Sequence, residues 1–116
     1  MPPVIEDYSF GRIVIDGKTY TSDVKIIGEK IVPNWWRREG HHLYPEDIED
    51  ILASECEVLV VGTGAYGVMK VDPKVKEACA ARGIRLEASK TAQAVKRFNE
   101  LAAQGAKVAG AFHLTC

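Results

Sequence analysis

A chain of 116 residues with 47% apolar and 27% charged residues supports one hydrophobic core, and no segment is polar or repetitive enough for disorder. Its net charge of −1 and pI near 6.3 lack the broad positive field of a nucleic-acid binder, so no nucleic acid is expected as a partner. No apolar run approaches the ~20 residues that span a bilayer, so no membrane association is expected.

The opening residues Met1-Pro2-Pro3-Val4-Ile5-Glu6-Asp7 have neither the basic flank and apolar centre of a signal peptide nor the arginine-rich character of a mitochondrial presequence, so the expected location is cytoplasmic. Between Tyr8 and Val32 the pattern is β. The run Phe10 to Ile15 leads into Asp16-Gly17, a type I′ turn signal, then Lys18 to Thr21, and Val24 to Ile27 before Gly28. This half is expected to form an N-terminal hairpin or meander.

From Pro33 to Leu43 no period holds, and Asn34 to His42 reads as an irregular loop with large side chains. Pro45 at a first helical position, with Glu46 and Asp47 in the first turn, opens a short helix whose apolar stripe is Ile48, Ile51 and Leu52. The run Val58-Leu59-Val60-Val61 has no polar alternation, as a strand covered on both faces requires, and empties into the glycine loop Gly62-Thr63-Gly64-Ala65-Tyr66-Gly67. Asp72 as N-cap and Pro73 after it start a second helix with Val75, Ala78 and Cys79 inward, ended by Gly83. Ile84 to Glu87 is a strand. Thr91 is expected to cap a third helix, on which Ala94, Val95, Phe98, Leu101 and Ala102 recur at helical spacing until Gly105. Lys107 to Leu114 is the last strand. Alternation of helix and strand with short connections favours right-handed crossovers and a largely parallel sheet, giving one α/β domain over residues 1–116.

Gly62 to Gly67 matches G-x-G-x-x-G, with Glu87 twenty residues beyond Gly67 where a dinucleotide fold places its ribose-binding acid. In that motif the glycines open a helix directly, whereas Val68 to Val71 intervene here. The glycines therefore read first as a turn. An alternative is a nest of backbone amides for a small anion or nucleotide-like ligand, with donors from Gly62, Thr63 and Gly64, Thr91 at a helix N-terminus, and Asn99 or His113 as polar neighbours.

Trp35-Trp36-Arg37-Arg38 sets two aromatic rings beside two guanidinium groups, a combination suited to protein interfaces, and His41-His42 close the same loop. Adjacency does not say which tryptophan faces inward. His41 and His42 beside Glu46 and Asp47, with distant His113, lack the H-x-x-x-H or cysteine pair of a metal site, so no metal is expected. Cys56, Cys79 and Cys116 are odd in number and contain no C-x-x-C, so reduced thiols are expected. Thr63, Ser89 and Cys79 lie in no nucleophile motif, and Asp7, Asp23 and Asp47 do not pair by spacing. No catalytic residue and no cofactor are expected.

Taken together, several segments resemble one family. Tyr8 to Ile13 with Tyr20 and Asp23-Val24, Trp36 with Gly40-His41-His42, Val60 to Gly64, Thr91 with Ala94-Val95 and Asn99, and the block Val108 to Cys116 are similar to the small domain of the adipogenesis-associated protein family. A more distant relative is mitochondrial complex I assembly factor three. The resemblance implies a compact three-layer α/β fold with a central mixed sheet and an added N-terminal β layer. It implies no established reaction, catalytic residue or cofactor, and a role in assembly or protein interaction. The expected function is thus a non-enzymatic interaction domain whose partner is another protein or a second copy of the chain. The contact is expected on the Trp35 to His42 loop, where replacing Trp35 and Arg37 would weaken binding and leave the fold intact.

Overall fold

In the computed structural model, which describes residues 2–116, the Asp16-Gly17 turn has positive φ at both positions, 49° and 79°. That geometry suits the twist of paired strands, and it joins β2 (Arg12–Ile15) to β3 (Lys18–Tyr20). The expected Phe10 strand start is instead a turn, with Gly11 at φ 74°. It links β2 to an earlier strand, β1 (Ile5–Ser9), whose acidic, mostly exposed run gave little apolar signal.

The remaining two N-terminal strands leave this layer. β4 (Val24–Ile27) and β5 (Lys30–Val32) join β7 (Val58–Thr63), β9 (Arg85–Ser89) and β10 (Val108–His113) in a five-stranded sheet of order β5-β4-β10-β7-β9. β10–β7 and β7–β9 are parallel, because helical crossovers connect them; β10–β4 and β4–β5 are antiparallel, the latter through a tight turn at Gly28. The sheet is therefore mixed, with its parallel part confined to three strands.

Three layers result. On one face Val58 and Val60 pack with Ile5, Ile13 and Ile15 of the N-terminal layer and with Val95, Phe98 and Leu101 of α3 (Thr91–Ala103). On the other, Leu59 and Val61 meet Ile48 of a 3₁₀ turn (Pro45–Ile48), Ile51 of α1 (Glu49–Leu52), and Val75 and Cys79 of α2 (Pro73–Ala81). The Asp72 carboxylate caps α2 by accepting from the Lys74 N–H at 2.9 Å. The run after the glycine loop forms β8 (Lys70–Val71), parallel to β6 (His42–Leu43). Among the described residues, no helix is long and apolar enough to cross a membrane.

Thr91 departs from the expected cap. Lys90 holds the N-cap position and Thr91 is the first helical residue, wholly buried. Its hydroxyl is drawn instead into the glycine loop.

Candidate functional site

β7 and β10 end side by side, Thr63 opposite His113. Beyond them gather the glycine loop, Thr115–Cys116, the Phe10–Gly11 turn and the Trp35 to His42 loop. Positive φ at Gly64, 106°, turns the chain so that its N–H donates to Thr91 Oγ1 at 2.8 Å, while that hydroxyl donates to the His113 carbonyl at 2.6 Å. The neighbouring amides are occupied too. Ala65 N–H donates to Thr115 O at 2.6 Å, and Val68 N–H to Cys116 O at 3.0 Å. A Cβ on Gly62 would lie 2.7 Å from Thr91 Oγ1, and one on Gly64 2.3 Å from the Cys116 carbonyl carbon.

The loop thus cradles the chain's own last residues, and an exogenous anion bound there would have to displace them. Thr63 Oγ1 donates sideways to Ser89 O, and Asn99 lies elsewhere, bonding both the N–H and the carbonyl of Ile5. Gly64→Ala is expected to cost about 1 to 3 kcal/mol through left-handed backbone strain, and to shift the amide resonances of Thr115 and Cys116. Chemical denaturation with amide mapping reads both; an unchanged midpoint would contradict the close packing.

The tryptophan–arginine run splits by direction. Trp35 is 6% exposed, and its Nε1–H donates to Asp47 O at 2.9 Å. Trp36 is 85% exposed. Arg37 turns inward, its side chain 4% exposed and its guanidinium 4.6 Å over the Trp35 ring. Arg38 remains outside beside Glu46 and over Tyr44. This corrects the expectation that Trp35 and Arg37 form a removable surface: both are structural, and the exposed pair is Trp36 and Arg38. His41 sets its ring edge toward His113 at 5.6 Å, while His42 Nε2 contacts Asp72 Oδ2 at 3.0 Å. The His42 hydrogen bond is the leading cause of the lowered Asp72 pKa. Among the described residues no cluster is arranged to hold a metal ion.

Arg37 belongs to a buried charged cluster. Asp23 Oδ2 accepts from Arg37 Nη2 at 2.7 Å and lies 2.7 Å from His113 Nδ1, while Oδ1 accepts from the Leu114 N–H at 2.8 Å. Burial alone would raise the Asp23 pKa, but hydrogen bonds from His113, Leu114 and Arg37 together outweigh it, and the net direction is downward. Each partner spends one nitrogen on Asp23. The other one, Arg37 Nη1 or His113 Nε2, is buried with no protein partner. Asp23, Arg37 and His113 line a cleft of about 410 Å³ with Trp35, Trp36 and Thr115. In the sequence Asp23 stands out as a carboxylate with no partner by spacing and as part of the family resemblance, but its cluster is not visible there, since its partners lie 14 and 90 residues away.

The family described as "Protein of unknown function (DUF498/DUF598)" matches residues 5–113. Among solved structures, the chain is similar to conserved hypothetical protein PH1505 from Pyrococcus horikoshii, at 30% identity and TM-score 0.80 over 97% of this chain and 98% of that one. It is similar in fold to an outer membrane protein from Bartonella henselae, at 22% identity and TM-score 0.84 over 99% and 97% of the two chains. The same holds for a Mth938-like domain from Bordetella pertussis, at 20% identity and TM-score 0.68 over 97% and 85%.

Proposed function

The chain belongs to the DUF498/DUF598 family of proteins of unknown function, and on that premise we propose that it is a non-enzymatic, cytoplasmic interaction domain of the assembly type. The observation that carries this reading is the 85% exposure of Trp36 on a loop whose neighbours, Trp35 and Arg37, are locked into the core. A large aromatic held in water on a fixed base loses little conformational freedom on docking, which is why tryptophan and arginine dominate interface energetics. Arg38 beside it adds a guanidinium donor. A second exposed pair, Phe10 and Tyr66 with ring centroids 6.1 Å apart, flanks Thr115–Cys116 at the same end of the sheet. The resemblance to the adipogenesis-associated family and to a complex I assembly factor supports the same class of role.

Trp36→Ala is expected to change stability by no more than about 0.5 kcal/mol, as for an exposed side chain. It is also expected to abolish a contact seen with the parent chain, either self-association by sedimentation or capture of a cytoplasmic protein. Identical partner sets and oligomeric state for parent and variant would refute the assignment of the contact to this loop.

A further inference from the structure

We propose that the cleft floored by Asp23, Arg37 and His113 is a recognition site for a carboxylate group, held by Arg37 Nη1 and His113 Nε2. This goes beyond the docking reading, since it stands whether the carboxylate arrives on a small molecule or on an acidic residue of a protein.

The geometry assigns the ligand's charge and shape. One oxygen of Asp23 holds Arg37 Nη2 and faces His113 Nδ1, each at 2.7 Å, so guanidinium and imidazole are fixed side by side, with Nη2 and Nδ1 3.0 Å apart. Their second nitrogens, Nη1 and Nε2, are buried and lack protein acceptors. Both side chains are more than nine-tenths buried, at 4% and 6% exposed. A buried donor without a partner is costly, and a ligand that brings acceptors recovers that cost. With Arg37 and His113 both protonated around one Asp23 carboxylate, the cluster carries one uncompensated positive charge, which a single carboxylate neutralises. Two oxygens also match the two unpartnered nitrogens. With His113 neutral the cluster has no net charge, and Nε2 offers a lone pair in place of a proton. The titratable groups facing His113 are Asp23, Arg37 and His41, with the Tyr8 hydroxyl beyond them bonded to Leu114 O. Trp36 at the cleft mouth offers a flat apolar wall to whatever bears the carboxylate.

The test is an NMR titration of the full chain, following the His113 ring signals, and in every variant the amide signal of Leu114 beside the cluster, with sodium acetate and, separately, with acetamide as the neutral isostere. Acetate is expected to give a saturable shift, and acetamide none. Arg37→Lys keeps a charge for the ion pair to Asp23 and removes the unpartnered Nη1. His113→Asn keeps a donor near the Nδ1 position and removes Nε2. Each variant is expected to bind acetate at least about tenfold more weakly, the loss of one charge-assisted hydrogen bond, with its amide spectrum otherwise that of the parent. A capped glutamate-containing tripeptide distinguishes the sources: tighter binding than acetate, reduced by Trp36→Ala, marks a protein-borne carboxylate, and equal or weaker binding marks a free one. No saturable response to acetate, an equal response to acetamide, or unchanged affinity in a folded variant would each overturn the proposal.

Discussion

Replacing Asp23 by alanine is expected to lower the unfolding free energy by about 3 to 5 kcal/mol, the range found when one member of a buried ion pair is removed and its partner left behind. Three bonds are lost together: to Arg37, to His113, and to the Leu114 N–H. Arg37, stacked on Trp35 and closed in by the protein, would lose its carboxylate and keep the neutral Gly40 carbonyl, at 2.8 Å, with His113 Nδ1 3.0 Å away. The same residue gives stability a pH signature. Its folded pKa lies below its ordinary value of 3.8, so the stabilisation is complete above that value and is lost as pH falls through the lower, folded one. Urea unfolding of parent and Asp23→Ala across the acid range should show the gap narrowing as pH drops. A gap independent of pH in that range would mean that the carboxylate is not charged and paired as the geometry indicates.

Phe98→Ala is expected to cost a similar amount, about 3 to 5 kcal/mol, by a different mechanism. The ring is fully buried on α3, edge-on to Phe112 with centroids 5.8 Å apart, and reaches the backbone of β10 closely enough that a Cβ on Gly110 would lie 3.2 Å from it. The Phe98 and Phe112 rings thus fill the space over Gly110 together, and removing one is expected to leave a cavity between helix and strand. The denaturant midpoint should fall with the m-value unchanged. A loss below about 1 kcal/mol would show that the cavity does close.

The features legible in the sequence were those whose cause is local. Asp16-Gly17 announced its turn because few residues accept positive φ, Asp72-Pro73 announced a helix start, and the α3 stripe announced a buried face by its spacing. The transfer of β4 and β5 to the central sheet was not legible, because Val24-Lys25-Ile26-Ile27 reads the same in either layer. Lys25 is even buried there, its charge met by Asp50 at 2.8 Å. Thr91 was misread because a hydroxyl at a helix start looks like a cap until the Gly64 N–H and the His113 carbonyl are seen to claim it. The aromatic loop was recognisable by composition. Its division into a buried and an exposed half required the pocket that receives Arg37, whose other walls come from Asp23 and His113.

The position of β10 has a consequence for synthesis on the ribosome. β4–β5 and β7–β9 are not hydrogen-bonded to each other; each pairs only with β10, which lies between them and follows both in the chain. Until residues 108–113 emerge, a nascent chain carries two sheet fragments with facing open edges, each a template for strand addition by a neighbouring molecule. The last strand therefore acts as a keystone: its arrival joins the halves, brings Thr115 and Cys116 to the glycine cradle, and brings His113 to Asp23.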